Sequence, residues 1–356
     1  MKVFFDTKNI YYLPQYLPIY RQLIERGHEV SFICYQGKNL EYQIEPLLER
    51  LALPIVRVEA SDQAIAFYLK EKADWVFFGN RTGFLDQLHG VSRSVQLGHG
   101  VGPKPAYYHK SSTPMTVRFI EGEMRLKTIQ AMYPNDNFVQ VGFSKLDPLV
   151  QGVEPGLDYD QLGLDKTRQT ILYAPTYNPS SIECFPDDWP EKFADYNILV
   201  KAHSLTYTRR QYRGQMAKLD TWSQYSNVHV AGPEELSIVP YLKDSDILLS
   251  DASSTLFEFA ALDRPVIVCD FYKLKWLYRG PFRYRFDRRF NRDNVIYKGI
   301  GRHIKSFGEL SDAVKDELAC PERFHDSRVQ YTRDHVGSMD GKASERIVDY
   351  LENYRG

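Results

Sequence analysis

The chain has 356 residues, of which 43% are hydrophobic and 26% charged, with a formal net charge of −1. That length predicts two domains, the composition predicts a soluble globular protein, and the near-zero charge gives no sign of a bulk nucleic-acid binder. Four scattered cysteines (Cys34, Cys184, Cys269, Cys320) without a CxxC pair fit a reducing compartment and argue against a disulfide frame or a zinc site.

The opening MKVFFDTKN reads as a strand rather than a signal peptide, and no apolar run approaches the roughly 20 residues that span a bilayer. Lys2 to Asp6 is the first predicted strand, Leu17 to Arg26 a helix stopped by Gly27, and Glu29 to Cys34 a second strand. Helices follow at Tyr42 to Leu51 and Ala64 to Lys72, with strands at Ile55 to Val58 and Trp75 to Phe78. Gly79-Asn80-Arg81 ends the latter. Ser94 to Gly98 is a strand running into His99-Gly100-Val101-Gly102-Pro103-Lys104, and Val117 to Ile120 and Phe138 to Val141 complete a first sheet. The expected domain runs over 1–152. Residues 153–168, rich in Gly, Pro and Asp, read as a linker.

A second α/β series occupies 169–338. Its predicted strands are Ile171–Ala174, Ile198–Lys201, Val228–Ala231, Ile247–Ser250 and Val266–Asp270, and their alternation with helical stretches predicts a mostly parallel sheet. Residues 279–303, basic and aromatic, read as a surface loop, and 339–356 hold a terminal amphipathic helix over Ser344 to Tyr354. The 25 tyrosines and the 14% aromatic content are assigned first to packing.

The stretch DSDILLSDASSTLFEFAALDRPVIVCDF carries the sharpest signal. It reads as strand, polar turn, helix and strand, with Thr255 and Glu258 at capping-box spacing. Ser253, Ser254 and the Thr255 amide then sit at a helix start, where unpaired N–H groups favour an anion, at the carboxyl end of a strand where open α/β sheets bind ligands. The expectation is that this turn holds a phosphate of a nucleotide-activated donor. Asp251 would repel phosphate, so it either orients the turn or accepts a bond from a lysine or histidine. Lys201 and His203, two apart at a strand end, can both reach a pyrophosphate; a solvated lysine and a capping histidine are the second reading. Thr176 ends the neighbouring strand. His99, between glycines and followed by Lys104, can take a proton from an attacking hydroxyl or serve structurally. Glu258 suits a ribose or a cap.

In order, QLGHGVGPK (96–104), VGFSKLD (141–147), ILYAPTYN (171–178), ILVKAHS (198–204), SDILLSDASSTLFEFAALDRPVIVCDF (245–271) and DGKASERIVDYL (340–351) resemble the CDP-glycerol glycerophosphotransferase family, the teichoic-acid primases and polymerases. The resemblance implies an α/β, GT-B-like fold of two Rossmann-like domains facing a central cleft, the first for acceptor and the second for donor. It implies that His99 is the base, that His203, Ser253 and Ser254 contact donor phosphates, and that an acceptor hydroxyl attacks the β-phosphorus of a CDP-alditol to release CMP. Positioning and charge neutralisation suffice for such a step, so neither cofactor nor metal is expected. The implied partners are a CDP-alditol or other nucleotide-activated donor and a polysaccharide or lipid-linked acceptor. No nucleic acid is expected. The implied place is the cytoplasm, at the inner membrane face where peripheral contact occurs. Gly98, Ala252 and Ser204 stand where the family usually has Trp, Tyr and Pro. A GT-B glycosyltransferase using a nucleotide sugar is the alternative reading, ahead of a nucleotide-sugar epimerase and a scaffold subunit.

Overall fold

The computed structural model describes residues 1–355 except 37–44, 99, 104, 236, 252, 274–279 and 287–297. The chain divides into two compact units, one formed by Met1–Val153 with Arg333–Gly356 and the other by Glu154–Thr332.

Among the described residues the first unit contains β1 (Lys2–Asp6), β2 (Glu29–Tyr35), β3 (Ile55–Val58), β4 (Trp75–Phe78), β5 (Arg93–Leu97), β6 (Val117–Ile120) and β7 (Phe138–Gln140). They lie in the order β3-β2-β1-β4-β5-β6-β7, and every pair is parallel. The second unit contains β8 (Thr170–Ala174), β9 (Asn197–Val200), β10 (Val228–Val230), β11 (Ile247–Ser250), β12 (Val266–Cys269) and β13 (Arg302–Ile304), in the order β10-β9-β8-β11-β12-β13, again all parallel. Helices cover both faces of such sheets, so central strands read as unbroken apolar runs. WVFF in β4 and VIVC in β12 are buried at every position. Aromatics fill the cores. Tyr173 stacks on Phe185 at 4.4 Å, with Trp189 edge-on to Phe185 and Trp222 edge-on to Trp189.

Several predicted elements shift. The first helix spans Leu13–Glu25, four residues earlier than expected, because Pro14 is accommodated in its first turn. Of the Tyr42 to Leu51 helix, Glu45–Arg50 is seen and 42–44 lie outside the described residues. The 279–303 stretch is not all loop. Arg302 and His303 belong to β13, the edge strand on β12. Arg285 lies on a short helix, Arg283–Phe286. Arg279, Arg288, Arg289 and Arg292 lie outside the described residues. From Glu154 the expected linker belongs to the second unit, where the Tyr159 hydroxyl donates to the Asp244 carbonyl at 2.9 Å. Among the described residues no helix is long and apolar enough to cross a membrane.

The chain's last helix, Ala343–Glu352, packs in the first unit beside Leu13–Glu25. Arg26 pairs with Asp349 at 2.6 Å and Glu352 at 2.7 Å. Its N-terminal amides are satisfied from 196 residues away. The Asp147 carboxylate accepts from the Ala343 amide at 3.2 Å and from the Ser344 amide and hydroxyl at 2.7 and 2.6 Å. Both donor residues are buried, so water cannot replace the carboxylate. Asp147→Ala is therefore expected to lower the unfolding free energy by about 1–3 kcal/mol, the cost of a lost cap and stranded buried amides. Denaturant titration checks this, and a change within error would remove Asp147 as the cap.

Candidate active site

The second sheet reverses its strand order at β8. The chain leaves β8 for β9 and β10 on one side, then returns to β11 on the other. The carboxyl edge at such a reversal opens a crevice because the two departing loops turn opposite ways. Here those loops are joined by Asp251. It is fully buried, and its carboxylate accepts from the Thr176 amide and the Ser181 amide, each at 3.2 Å, from the Ser180 hydroxyl at 3.5 Å, and from the Ser181 hydroxyl. One residue earlier, the Ser250 hydroxyl donates to the Ala174 carbonyl at 2.5 Å. These bonds tie the turn after β11 to the loop after β8, with Thr176 taking part through its backbone amide. Burial pushes the Asp251 carboxyl up to about 7 against the pull of these donors.

The turn then presents Ser253 and Ser254, both half-buried, and the helix Thr255–Ala260. The expected capping box does not form. Ser254 is the N-cap and makes no side-chain cap bond, while the Ser253 hydroxyl accepts from the Thr255 amide at 3.3 Å. Thr255 is already helical, one residue too late to cap. Glu258 is buried in this helix, 2% exposed.

On the neighbouring strand end, His203 is the N-cap of the helix Ser204–Thr208. Its Nδ1 accepts from the Leu205 amide at 3.1 Å. That bond places the proton of the neutral ring on Nε2, making His203 a hydrogen-bond donor on its other side. The Tyr177 ring packs against it at 4.7 Å. Lys201 donates from Nζ to the Glu235 carbonyl and lies 5.8 Å from the centre of the Tyr241 ring. Glu235 is itself held. Burial opposes its charge, but bonds from His229, Tyr241 and the Gly232 amide outweigh burial and hold its carboxyl at about 2. The structure therefore brings Thr176, Lys201, His203, Asp251, Ser253, Ser254 and Thr255 to the carboxyl edge of three adjacent strands.

In the first unit, His99 and Lys104 lie outside the described residues. The Gly98 carbonyl accepts from the Gln15 side chain at 2.7 Å, and the Gly100 and Gly102 carbonyls both accept from Arg125 Nη2 at 3.0 Å. Arg125 also pairs at 2.6 Å with Glu121, which lies four residues earlier, just before the helix Glu123–Met132 that carries Arg125, and both are buried. Burial pushes the Glu121 carboxyl up while Arg125 pulls it down. A Cβ at Gly98 would lie 3.0 Å from Glu121 Oε1, so the ion pair fills the space a larger residue needs. Sequence reasoning missed Gln15, Glu121 and Arg125. The i, i+4 spacing of Glu121 and Arg125 was the available signal, but it reads as a solvated surface pair. Among the described residues no group of three or more His, Cys, Asp or Glu is set to hold a metal ion.

Residues 121–353, well over half of the chain, match the model of the family described as CDP-Glycerol:Poly(glycerophosphate) glycerophosphotransferase. The chain belongs to this glycerophosphotransferase family. The match spans Lys201–His203 and the Asp251 turn and begins after His99. Among curated relatives, a teichoic acid glycerol-phosphate primase of Bacillus spizizenii is 28% identical over 229 residues, covering 61% of this chain and 52% of the relative. A teichoic acid glycerol-phosphate transferase of Staphylococcus aureus is 22% identical over 317 residues, covering 78% and 73%. The chain spans about half the length of the primases it matches and 29% of a poly(ribitol-phosphate) polymerase. In structure it resembles the wall teichoic acid polymerase TagF, with a TM-score of 0.68 at 17% identity over 99% of this chain and 88% of the other. It also resembles a UDP-GlcNAc 2-epimerase from Neisseria meningitidis, with a TM-score of 0.61 at 15% identity over 99% and 100%. The fold of this glycerophosphotransferase-family chain is GT-B-like.

Two outcomes follow from the geometry. An unfolded aspartate ionises near 3.8 and Asp251 in the fold near 7, so between these values the folded chain holds a proton the unfolded chain releases. The stabilisation is complete below the lower value and is lost as pH rises through the upper one. Asp251→Asn, neutral throughout, is expected to show a smaller difference in unfolding free energy between about pH 6 and about pH 8.5 than the parent; an equal difference would detach this titration from Asp251. Arg125→Ala leaves Glu121 buried without its cation and is expected to cost about 3–5 kcal/mol by urea unfolding, with Arg125→Met/Glu121→Leu recovering most of it. A single variant as stable as the parent would show the pair to be dispensable.

Proposed function

We propose that the chain moves a phosphoalditol unit of the glycerol-phosphate type from a CDP-activated donor to a hydroxyl of a teichoic-acid-like or other surface polysaccharide acceptor. The acceptor oxygen forms a bond to the donor's β-phosphorus, the bond from that phosphorus to the bridging oxygen breaks, and CMP leaves with the bridging oxygen. A phosphodiester remains. Such a transfer asks for placement and charge neutralisation more than for covalent chemistry. The Ser253 and Ser254 hydroxyls and the Thr255 amide hold donor phosphate oxygens, His203 donates from Nε2, and the Lys201 ammonium offsets charge on the diphosphate. His99 takes the proton of the attacking hydroxyl, with Lys104 nearby in sequence.

The observation that carries this reading is the Asp251 tie. It sets the hydroxyl-bearing turn against the loop after β8 at the reversal of the donor-side sheet. Family membership supports the donor class, and TagF, of like fold, has been examined after a CDPG soak. The names of the curated relatives support a teichoic-acid acceptor, and a place at the cytoplasmic membrane face with peripheral contact there belongs to the same proposal.

Incubation with CDP-glycerol, CDP-ribitol, UDP-sugars and GDP-sugars, with acceptor present, is expected to release CMP. Release of UDP or GDP instead would replace this reading with a glycosyltransferase. His99→Ala is expected to lower kcat by about 10²–10⁴-fold, the usual contribution of a general base, with donor binding retained. His203→Ala and Ser254→Ala are expected to weaken donor binding. Unchanged turnover in all three would overturn the assignment of these residues.

A further inference from the structure

The first sheet has a reversal of its own, between β1 and β4, and the residues gathered there take no part in the transfer described above. At the carboxyl ends of these two strands lies a cavity of about 320 Å³, lined by Asp6, Lys8, Tyr12, Tyr35, Asn80 and Arg81. Its size falls at the lower end of the roughly 300–1,000 Å³ typical of small-molecule sites, and its place is where open α/β sheets bind ligands.

The cavity has a polar floor and a cationic mouth. Asp6 and Tyr35 are each only 6% exposed, whereas Lys8, Asn80 and Arg81 are exposed. Asp6 accepts from the Tyr35 and Tyr68 hydroxyls at 2.7 and 2.9 Å and from the Lys8 amide at 3.2 Å. An ionised carboxylate offers about four acceptor directions, so one is left for a ligand hydroxyl. No cation lies within ion-pair distance of Asp6 among the described residues. Burying a carboxylate in this way costs stability, and a fold that needed only packing would not retain it. Lys8 and Arg81 likewise pair with no carboxylate among the described residues; the Lys8 ammonium meets only the Ser61 hydroxyl, at 3.2 Å. Between floor and mouth stands an aromatic wall. Tyr12 lies flat against Gly79, where a Cβ would come within 2.3 Å of the ring, and Asn80 donates to its hydroxyl at 2.6 Å.

We infer that this cavity binds a hydroxyl-bearing unit of a polyol-phosphate chain, with a hydroxyl on Asp6, the carbon skeleton along Tyr12, and the flanking phosphodiester between Lys8 and Arg81. The choice of ligand rests on the transferase reading above. The cavity is an acceptor subsite. Gly79 and Asn80 also line a small neighbouring cavity that reaches Gly98.

The test uses the full chain without nucleotide and follows binding of a synthetic tri(glycerol phosphate) by calorimetry, with triglycerol, which lacks phosphate, as comparison. Tri(glycerol phosphate) is expected to bind at least tenfold more tightly than triglycerol. Lys8→Ala/Arg81→Ala is expected to lose that preference, and Asp6→Asn to weaken both ligands. The double variant changes two exposed residues, which keeps the test independent of the buried Asp6. Equal affinity of parent and double variant for tri(glycerol phosphate) would overturn the subsite. The two readings fail separately. Loss of binding in the double variant from a parent that releases no CMP upholds the cavity and ends the transferase assignment. CMP release with the same acceptor KM in parent and double variant ends the cavity assignment alone.

Discussion

The Asp251 carboxylate, fully buried and surrounded by hydrogen-bond donors from the loop after β8, is the constraint on which the carboxyl edge of the second sheet depends. A carboxylate accepts and does not donate, so once placed it dictates where N–H and O–H groups must gather. Two of its donors are backbone amides, Thr176 and Ser181, and their positions fix the path of a loop rather than one side chain. Bringing this charge out of water is unfavourable, which is why its carboxyl sits near 7. The sheet tolerates that cost because the same bonds replace a flexible pair of loops by a single arrangement. Asp251 consequently holds backbone in place, and the proposed phosphate contacts fall to the residues that follow it.

The central strands were readable because buried parallel strands are apolar on both faces, and ILLS and VIVC could hardly be anything else. β13 was not, because its Arg302-His303-Ile304 is three residues long and polar on two of them, an edge strand recognisable only by its pairing with β12. The helix after Asp251 was legible, but its first turn was misread. Thr255 and Glu258 have the spacing of a capping box, yet the chain enters the helix one residue earlier, at Ser254, and the box loses its cap. Local pattern decides the element, and the tertiary path decides its first residue.

The remaining misses share one cause, distance along the chain. VGFSKLD and DGKASERIVDYL both stand out in the sequence, but nothing in either says that Asp147 of the first caps the helix of the second, 196 residues on. That bond explains why the last segment belongs with the first unit rather than the second. Arg125 shows the same limit. Its i−4 partner Glu121 is visible in the sequence. Its contacts to the Gly100 and Gly102 carbonyls, which fix the backbone on either side of Val101, belong to the fold.

Each unit, taken by itself, carries a buried aspartate at the reversal of its sheet, and the donors around each separate their roles. Asp251 is served by loop amides and loop serines, so it immobilises backbone and is left with little to offer a ligand. Asp6 is served by Tyr35 and Tyr68, whose rings are already locked in the core, and by one amide. Its bonds therefore fix the carboxylate instead of being fixed by it, and they leave one acceptor direction at the floor of a cavity. A phosphate-binding edge calls for ordered hydroxyls and amides with the carboxylate withdrawn, whereas a polyol-binding cavity calls for a carboxylate held in place and presented. The two aspartates stand on opposite strands of their reversals, Asp6 at the end of β1 and Asp251 just after β11, and they differ in whether their partners are core or loop.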